Sequence, residues 1–262
     1  MDLGLKGKIA LVTGGTSGIG LAIAQRLGEE GCTVAICGRD PDKLAAALTQ
    51  LREHAIIAHG VIADMAQPDN MKQLVDEVCA ATGGIDIVVS NAGTHVKGTV
   101  EQVTAEAVGL HLRTKVLGPW ELARQVAPVM RKRGGGRFIV IIGQAGKVPG
   151  ATVIASAVTN AAQHAFVKSL SDHLGPDKIL VNAVCPSRIS SPLADQLDLT
   201  GELYIGRSLE QQEARWGATV PLGHYGVPED IADAVAFVAS ARAAFLCGAN
   251  IDVDGGYQRS IM

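Results

Sequence analysis

The sequence lacks any long run of one charge or of apolar residues. Its 262 residues carry 23 lysines and arginines against 26 aspartates and glutamates, which gives a net charge of −3. The longest basic run, residues 131–133, precedes three glycines and is typical of a helix C-terminus. This balance argues against a general binder of nucleic acid or of anionic membranes. No stretch approaches the roughly 18 to 20 apolar residues of a membrane span, and no cationic and apolar leader stands at the N-terminus, so we expect a cytoplasmic protein.

Patterns for disulfides and metal ligands are missing as well. The cysteines number five, show no Cys-x-x-Cys spacing and lie for the most part among apolar residues. We therefore expect buried free thiols at Cys32, Cys37, Cys79, Cys185 and Cys247. The seven histidines show no ligand spacing. The sequence predicts no metal site.

The stretch from Lys8 to Gly20 combines three features of a nucleotide site. Residues 9–12 are consecutive apolar residues, which is typical of a strand buried on both faces. Gly14, Gly18 and Gly20 follow at once, and apolar residues then recur at helical spacing. Glycines let the backbone approach a phosphate closely, and the free N–H groups and positive end of a helix attract it. The stretch predicts a dinucleotide-binding turn, with a plain strand–helix turn as the alternative.

The segment Thr13-Gly-Gly-Thr-Ser-Gly-Ile-Gly20 resembles the glycine motif of the short-chain dehydrogenase/reductase family. Asn91-Ala92-Gly93 and Pro186-Ser-Arg-Ile-Ser-Ser191 are similar to later signatures of the same family, so the resemblance covers nearly the whole chain. It implies that Asp64 lies beside the adenine amino group and that the backbone of Ile189 meets the nicotinamide carboxamide. The predicted cofactor contacts are Gly14, Thr16, Ser17, Gly18, Ile19, Gly20, Arg39, Asp64, Asn91, Ala92, Gly93, Lys115 and Ile189.

Strand and helix patterns alternate along the chain without internal repeats or low-complexity linkers. They predict an α/β fold, with residues 1–262 forming one Rossmann-like domain around a doubly wound parallel sheet. A strand is expected over Ala55 to Ile62 and a long helix from Thr104 to Met130. The segment at about 190–224 is irregular, with apolar residues among polar ones, and is predicted to be a substrate lid. Its composition favours a small, mostly apolar substrate.

Arg39 decides the predicted nucleotide. It follows the second predicted strand, where an acidic residue would bind the ribose hydroxyls of NAD. An arginine beside the small Gly38 suits the additional 2′-phosphate of NADP. The alternative is a surface arginine paired with Asp40 or Asp42. The sequence favours NADP(H) as the cofactor.

Members of the family use a serine, a tyrosine and a lysine four residues after the tyrosine, with an asparagine on the preceding long helix that relays water to the lysine. The alignment of Val167-Lys168-Ser169-Leu170 places Ser156 at the tyrosine position and Asn160 at the lysine position. Gly143 occupies the serine position, or Gln144 does if the turn after the fifth predicted strand differs in length by one residue. Lys115 stands where the asparagine belongs. All the expected residue types have changed.

Relative to the family pattern, we interpret the asparagine and lysine as exchanged between two helices, since Lys115 replaces the asparagine and Asn160 the lysine. We hypothesise that Lys115 is the relocated cation of the site, and its proton donor if burial lowers its pKa. The alternative is a lysine that extends from a helix end or lies at a subunit interface.

Three further side chains are candidates for the chemistry. Ser156 is too short to reach the place of a phenol hydroxyl and is expected to position water or substrate. Gln144 offers an amide hydrogen bond to a carbonyl, or faces solvent beside Lys147. Tyr204 in the predicted lid is a candidate to replace the family's tyrosine as the acid. The alternative is that Tyr204 only makes an apolar contact within the lid. Together with Lys115 and Asn160, these form the predicted catalytic set.

Three functions are consistent with these observations. The first is an NADP(H)-dependent oxidoreductase with an altered acid–base set, acting on a carbonyl, an alcohol or an enone. The second is a non-redox enzyme on the same fold, such as a lyase, isomerase or cyclase, and the third is a catalytically silent NADP-binding protein. We expect a small-molecule substrate, no nucleic-acid or membrane partner, and the homodimer or homotetramer that the resemblance implies.

Overall fold

The computed structural model of the protein describes residues 1–94, 96–190 and 219–259. The strands in these ranges are β1 (Ile9–Thr13), β2 (Thr33–Gly38), β3 (Ala58–Ile62), β4 (Ile87–Ser90), β5 (Gly136–Ile141), β6 (Ile179–Pro186) and β7 (Asn250–Val253). The α-helices there are α1 (Gly18–Glu29), α2 (Pro41–Glu53), α3 (Asn70–Thr82), α4 (Ala105–Leu112), α5 (Gly118–Lys132), α6 (Ile154–Leu174) and α7 (Pro228–Ala239). A π-helical turn, Arg113–Leu117, joins α4 to α5, and a 3-10 turn, Gln144–Gly146, follows β5.

The sheet has seven strands in the order β3-β2-β1-β4-β5-β6-β7, and every pairing is parallel. Thr13 at the end of β1 is level with Cys37 of β2 on one side and with Ser90 of β4 on the other. The strand order reverses at β1, and such a reversal opens a cleft at the C-terminal ends of the strands. The predicted doubly wound parallel sheet is confirmed.

Helices cover both faces of the sheet, so the central strands β1 and β4 are buried at every position. Val12 of β1 packs on one face with Leu27 of α1 and Val235 of α7. Its neighbour Leu11 points to the other face, toward Leu122 of α5. These side chains are fully buried. The alternation of Leu11 and Val12 between two cores explains why β1 appears in the sequence as a continuous apolar run.

Two elements differ from their predicted bounds. β3 begins at Ala58 because Ala55 has a left-handed backbone, with φ of +59°, in the turn that ends α2. The predicted helix from Thr104 to Met130 consists of α4, the π-turn and α5, and it continues to Lys132. Most of the predicted lid, residues 191–218, lies outside the described residues.

Within the described ranges, no helix combines the length and apolar character needed to cross a bilayer. No cluster of three or more histidine, cysteine or acidic side chains in those ranges is suited to hold a metal ion. All five cysteines are free thiols, of which Cys247 is exposed. Burial raises the pKa of Cys32, Cys37 and Cys185 to about 12, so these thiols are unreactive at neutral pH.

Candidate active site

The turn between β1 and α1 brings two chain segments into backbone contact. Gly14 and Gly18 have φ angles of +64° and +51°, in the left-handed region. A Cβ on Gly14 would lie 2.8 Å from the Cα of Ala92, so glycine is required there for contact with the β4 exit. Helix α1 begins directly after Ser17, whose side chain makes no capping bond, and its first turn contains no acidic residue. The N–H groups of this turn are therefore available to a phosphate.

Asn91 fixes the same turn from the end of β4. Its Nδ2 donates hydrogen bonds to the carbonyl oxygens of Thr13 and Gly14, each at 3.1 Å. The Thr13 hydroxyl accepts the backbone N–H groups of Asn91 and Ala92, also at 3.1 Å. The side-chain amide of Asn91 thus has a structural role, which keeps the glycine turn of β1 level with the end of β4.

Arg39 lies next to the phosphate turn and has no acidic partner among the residues that the structure describes. A Cβ on the preceding Gly38 would lie 2.6 Å from Cγ2 of Thr16, which shows how closely β2 approaches the turn. The carboxylate of Asp40 accepts the N–H groups of Asp42 and Lys43, at 3.0 and 3.1 Å, and so caps α2. Arg39 itself is exposed. The pairing of Arg39 with Asp40 or Asp42 does not occur.

Asp64 lies on the loop after β3, at the position expected for the adenine contact. Its Oδ1 accepts the backbone N–H of Ala66 at 2.9 Å, which holds the carboxylate against its own loop. The side chain is half-buried. The second carboxylate oxygen accepts no hydrogen bond from the described residues, so an acceptor for an amino group is present at this edge.

Ile189, the residue implied for the nicotinamide, sits in a short parallel bridge with Gly226. The Gly226 N–H donates to the Arg188 carbonyl at 3.0 Å, and the Ser190 N–H donates to the Gly226 carbonyl at 2.9 Å. In this pattern the bonds to Gly226 come from the residues on either side of Ile189. The N–H and C=O of Ile189 point the other way, which makes them a donor and acceptor pair suited to a carboxamide.

Lys115 and Asn160 meet across the cleft. The Lys115 Nζ donates to Oδ1 of Asn160 at 2.7 Å, and Nδ2 of Asn160 donates to the carbonyl oxygen of Gly143 at 2.9 Å. Asn160 is buried, and its amide is oriented by these two contacts. The π-turn that carries Lys115, helix α6 and the exit of β5 are therefore joined at one point. Lys115 and Asn160, the two residues of the hypothesised exchange, are thus in direct contact.

The surroundings of Lys115 favour the loss of its proton. No ion pair joins it to a carboxylate within the described ranges, and burial lowers the pKa of its ammonium to about 8. Part of its side chain remains accessible. Its Cε lies 3.6 Å from the position of a Cβ on Gly93, so the stem runs along the β4 exit. A lysine that merely extends to solvent from a helix end would keep its ordinary pKa.

Ser156 and Gln144 are both buried, with exposed fractions of 3% and 9%. The Oγ of Ser156 has no hydrogen-bond partner in the described part of the chain. The Nε2 of Gln144 donates to Oδ2 of Asp254 at 3.1 Å, while its Oε1 is buried without a partner there. Gln144 therefore does not face solvent. Tyr204 lies outside the described residues.

Sequence reasoning did not identify three features of this site. One is the π-turn at Arg113–Leu117, a geometry that recurs at functional positions in helices. The second is the contact of Gln144 with Asp254. The third is Tyr257, whose ring lies against the guanidinium of Arg188. Arg188 lies in the segment 186–191 that is similar to a family signature. No local pattern marks the π-turn, the contact of Gln144 with Asp254, or Tyr257.

Comparisons with known proteins identify the relatives of this chain. The family model described as enoyl-(acyl carrier protein) reductase matches residues 14–258. The chain is 34% identical over 254 residues to a putative ketoacyl reductase of Streptomyces coelicolor, covering 95% of the chain and 96% of that protein. It is 30% identical over 257 residues to the 3-oxoacyl-acyl-carrier-protein reductase FabG of Aquifex aeolicus, covering 98% and 99%.

Solved structures with the same fold include enzymes complexed with a nucleotide. L-sorbose reductase from Gluconobacter frateurii, complexed with NADPH and L-sorbose, superposes with a TM-score of 0.94 at 32% identity and covers 100% of both chains. A variant of actinorhodin polyketide ketoreductase with NADPH gives a TM-score of 0.93 at 32% identity, covering 97% of this chain and 98% of that one.

Proposed function

The chain belongs to the short-chain dehydrogenase/reductase family, and on that premise we propose that it is an NADP(H)-dependent oxidoreductase with a rearranged acid–base set. The observation that carries the proposal is the 2.7 Å hydrogen bond between Lys115 and Asn160. It joins the two positions at which the family has its asparagine and its lysine. A cation and an amide are thus retained in one place, with their helices exchanged.

The cofactor assignment rests on the phosphate turn and Arg39. The turn offers unpaired N–H groups at the start of α1 and close backbone packing that only glycine permits at position 14. Arg39 is exposed next to this turn, and Asp40 is occupied by its helix cap. A guanidinium without a carboxylate partner is suited to a 2′-phosphate. Two structural relatives are complexes with NADPH, which supports the same assignment.

In the proposed reaction NADPH supplies a hydride to a carbonyl carbon, and Lys115 supplies the proton to the oxygen. With a pKa of about 8, Lys115 is mostly protonated at pH 7 and is still a better acid than an ordinary lysine. The proton passes directly or through one water, and solvent then reprotonates the amine. In the oxidation direction the neutral amine accepts the proton from an alcohol.

The neighbouring residues orient this lysine. Asn160 accepts one Lys115 N–H, and its own amide is held by the Gly143 carbonyl, so two N–H bonds of the ammonium remain for substrate, water or ribose hydroxyls. Ser156 replaces a large phenol with a short hydroxyl and leaves room for a water or a substrate oxygen. We propose that its buried, unpartnered Oγ binds this oxygen.

The proposed substrate is a small, mostly apolar carbonyl compound, alcohol or enone. Ketoreductases among the relatives favour a carbonyl, and the composition of the segment at about 190–224 favours an apolar molecule. A non-redox enzyme is the second candidate, because Ser156 cannot itself act as the acid that a tyrosine would be. A catalytically silent NADP-binding protein is the third.

Transfer of deuteride from stereospecifically labelled NADPH distinguishes these functions. Binding is first measured by NADPH fluorescence, and a panel of ketones, aldehydes and enones is then incubated with the labelled cofactor. We expect binding and transfer to at least one carbonyl class. Tight binding without any transfer would leave the non-redox and silent functions, and absence of binding would contradict the assignment of Arg39.

We also propose that the protein is a homodimer or homotetramer that associates through α5 and α6. Trp120 is 59% exposed and stacks on Phe166 with 5.8 Å between ring centroids, and Val158 is 56% exposed. The groove between the two helices has a volume of about 360 Å³ and is lined chiefly by apolar atoms. Large apolar side chains exposed in one area favour an interface. Light scattering tests this, with Trp120→Glu expected to shift the mass toward the monomer.

A further inference from the structure

Residues 254–258 form a tight turn after β7, which we name the C-terminal turn. Its centre is the carboxylate of Asp254. Oδ1 accepts the N–H of Gly256 at 2.9 Å, and Oδ2 accepts the N–H of Gln258 at 2.6 Å. The Asp254 carbonyl accepts the Tyr257 N–H at 3.1 Å. One side chain therefore determines the path of the backbone after β7.

Asp254 also connects this turn to the exit of β5. Its Oδ2 accepts Nε2 of Gln144 at 3.1 Å. Because a carboxylate accepts hydrogen bonds and does not donate them, this contact fixes which end of the Gln144 amide points to Asp254. The Oε1 end of Gln144 is left buried without a partner among the described residues. The Oε1 of Gln144 is therefore available as a hydrogen-bond acceptor.

Tyr257 connects the turn to the exit of β6. The Cζ of Arg188 lies 4.8 Å from the centre of the Tyr257 ring, and Nη2 of Arg188 donates to the Tyr257 hydroxyl at 3.2 Å. Arg188 has a φ of +52°, a left-handed conformation that is unfavourable for a residue with a Cβ. The next residue is Ile189, whose backbone groups face away from Gly226. The contact with Tyr257 thus holds the residue that precedes the nicotinamide position.

We propose that the C-terminal turn is a positioning element for the nicotinamide end of the cofactor, with Tyr257 holding the Arg188–Ile189 backbone and Asp254 orienting Gln144. The inference rests on the proposed function, because it needs NADP(H) in the cleft. It assigns no chemistry to Tyr257 or Asp254. The adenosine end of the cofactor lies at β1 and β2, which the turn does not contact within the described residues.

The experiment compares two ligands in each variant. NADPH contains the nicotinamide, whereas 2′-phospho-ADP-ribose lacks it. The dissociation constant of 2′-phospho-ADP-ribose divided by that of NADPH therefore reports the contribution of the nicotinamide. We expect Tyr257→Leu to reduce this ratio about fivefold, the size of one lost cation–π contact, with the affinity for 2′-phospho-ADP-ribose within twofold of the parent. Tyr257→Phe keeps the ring and loses the hydroxyl, and it should reduce the ratio by less.

Lys147→Met provides the matched control. Lys147 lies on the loop directly after the 3-10 turn that contains Gln144, and its Nζ contacts Asp252 of β7 at 2.6 and 2.8 Å. It links the same two parts of the fold without touching the C-terminal turn. We expect a lower melting temperature and an unchanged ratio.

Three results would overturn the inference. One is a ratio for Tyr257→Leu within twofold of the parent, and another is an equal loss of affinity for both ligands, which would indicate a general structural role. The third is that Tyr257→Phe, the variant least able to disturb folding, exceeds Tyr257→Leu in its effect. If the parent binds 2′-phospho-ADP-ribose and NADPH equally, the inference fails alone. If it binds neither, the proposed function fails and the inference falls with it.

Discussion

The two halves of the cleft are built from different kinds of contact. At the ends of β1, β2 and β4, which we call the adenosine half, the backbone approaches closely at Gly14 and Gly38, and Asn91 bonds to main-chain carbonyls. At the π-turn and the ends of β5, β6 and β7, which we call the nicotinamide half, side chains bond to other side chains, as in Lys115 with Asn160. A site built from close main-chain contacts requires glycine at a few positions. A site built from contacts between side chains can change when both side chains of a pair are replaced. This difference is consistent with a chain that keeps its nucleotide motif while its proposed acid–base set is rearranged.

The largest effect is expected from removal of the cation in the nicotinamide half. Lys115→Met should reduce the rate of hydride transfer by about 10³, because the proton donor is lost, with NADPH affinity within about fivefold. Lys168→Met, on the exposed face of α6, should leave the rate unchanged. Single-turnover measurements check this once a substrate is found. Full turnover by Lys115→Met would remove the proposed role.

The same lysine gives a pH dependence with a definite sign. In the proposed reaction the ammonium is the acid for reduction, and burial lowers its pKa to about 8. The reduction rate should therefore fall as the pH rises through about 8, and the oxidation rate should rise there. Lys115→Met should lose this dependence. A reduction rate that stays constant from pH 7 to 9 in the parent would contradict the assignment.

The next effect tests whether Lys115 and Asn160 act as an exchanged pair. Asn160→Lys alone places two ammonium groups where one hydrogen bond of 2.7 Å now lies, and it should cost about 3 kcal/mol of unfolding free energy. Lys115→Asn combined with Asn160→Lys restores one cation and one amide, and should lie within about 1 kcal/mol of the parent. Urea unfolding of the parent, Lys115→Asn, Asn160→Lys and the double variant measures the coupling free energy between the two residues. Additive losses in the double variant would indicate that the two sites are independent.

In the adenosine half, Gly14→Ala should reduce NADPH affinity about 100-fold. The added Cβ would lie 2.8 Å from the Cα of Ala92, and an alanine would have to adopt the unfavourable φ of +64° that Gly14 has. Gly83→Ala is the matched control, since Gly83 has a φ of +85° but no atom within 4 Å of an added Cβ. It carries the same conformational cost without the collision. Similar affinities of the two variants would show that close packing at Gly14 is not needed.

The smallest effect is expected at Arg39. Arg39→Ala should reduce the preference for NADPH over NADH by about tenfold, one charge-assisted contact to a phosphate, while the affinity for NADH stays nearly constant. Titration with both nucleotides measures this. An equal loss for NADPH and NADH would indicate that Arg39 supports the fold of the turn and does not read the phosphate.

The sequence alone predicts the adenosine half well, because its signal is local. Gly14, Gly18 and Gly20 lie within seven residues, and the strand and helix around them have clear apolar periods. The contact of Lys115 with Asn160 joins residues 45 apart, and the family resemblance drew attention to the two residues but did not predict their contact. Tyr204 was also proposed from the sequence, and this remains a prediction.

Other features of the nicotinamide half leave no local signal. Gln144 meets Asp254 across 110 positions of sequence, and Arg188 meets Tyr257 across 69. Such contacts depend on the order of strands at the sheet edge, which no periodicity encodes. The π-turn is hidden for another reason: helical apolar spacing continues on both sides of it, so the sequence appears as one long helix.

That π-turn makes the chain sensitive to length at one place. A single π-turn corresponds to one extra residue in an α-helix, and the wider turn takes up that residue, so the following segment keeps its facing. Deleting one residue within Arg113–Leu117 should therefore let the helix become regular with the apolar face of α5 still packed on the sheet. The deletion would, however, displace Lys115 from Asn160, because the π-turn itself carries Lys115. The fold should accept the shorter segment, whereas the contact between the two side chains should not.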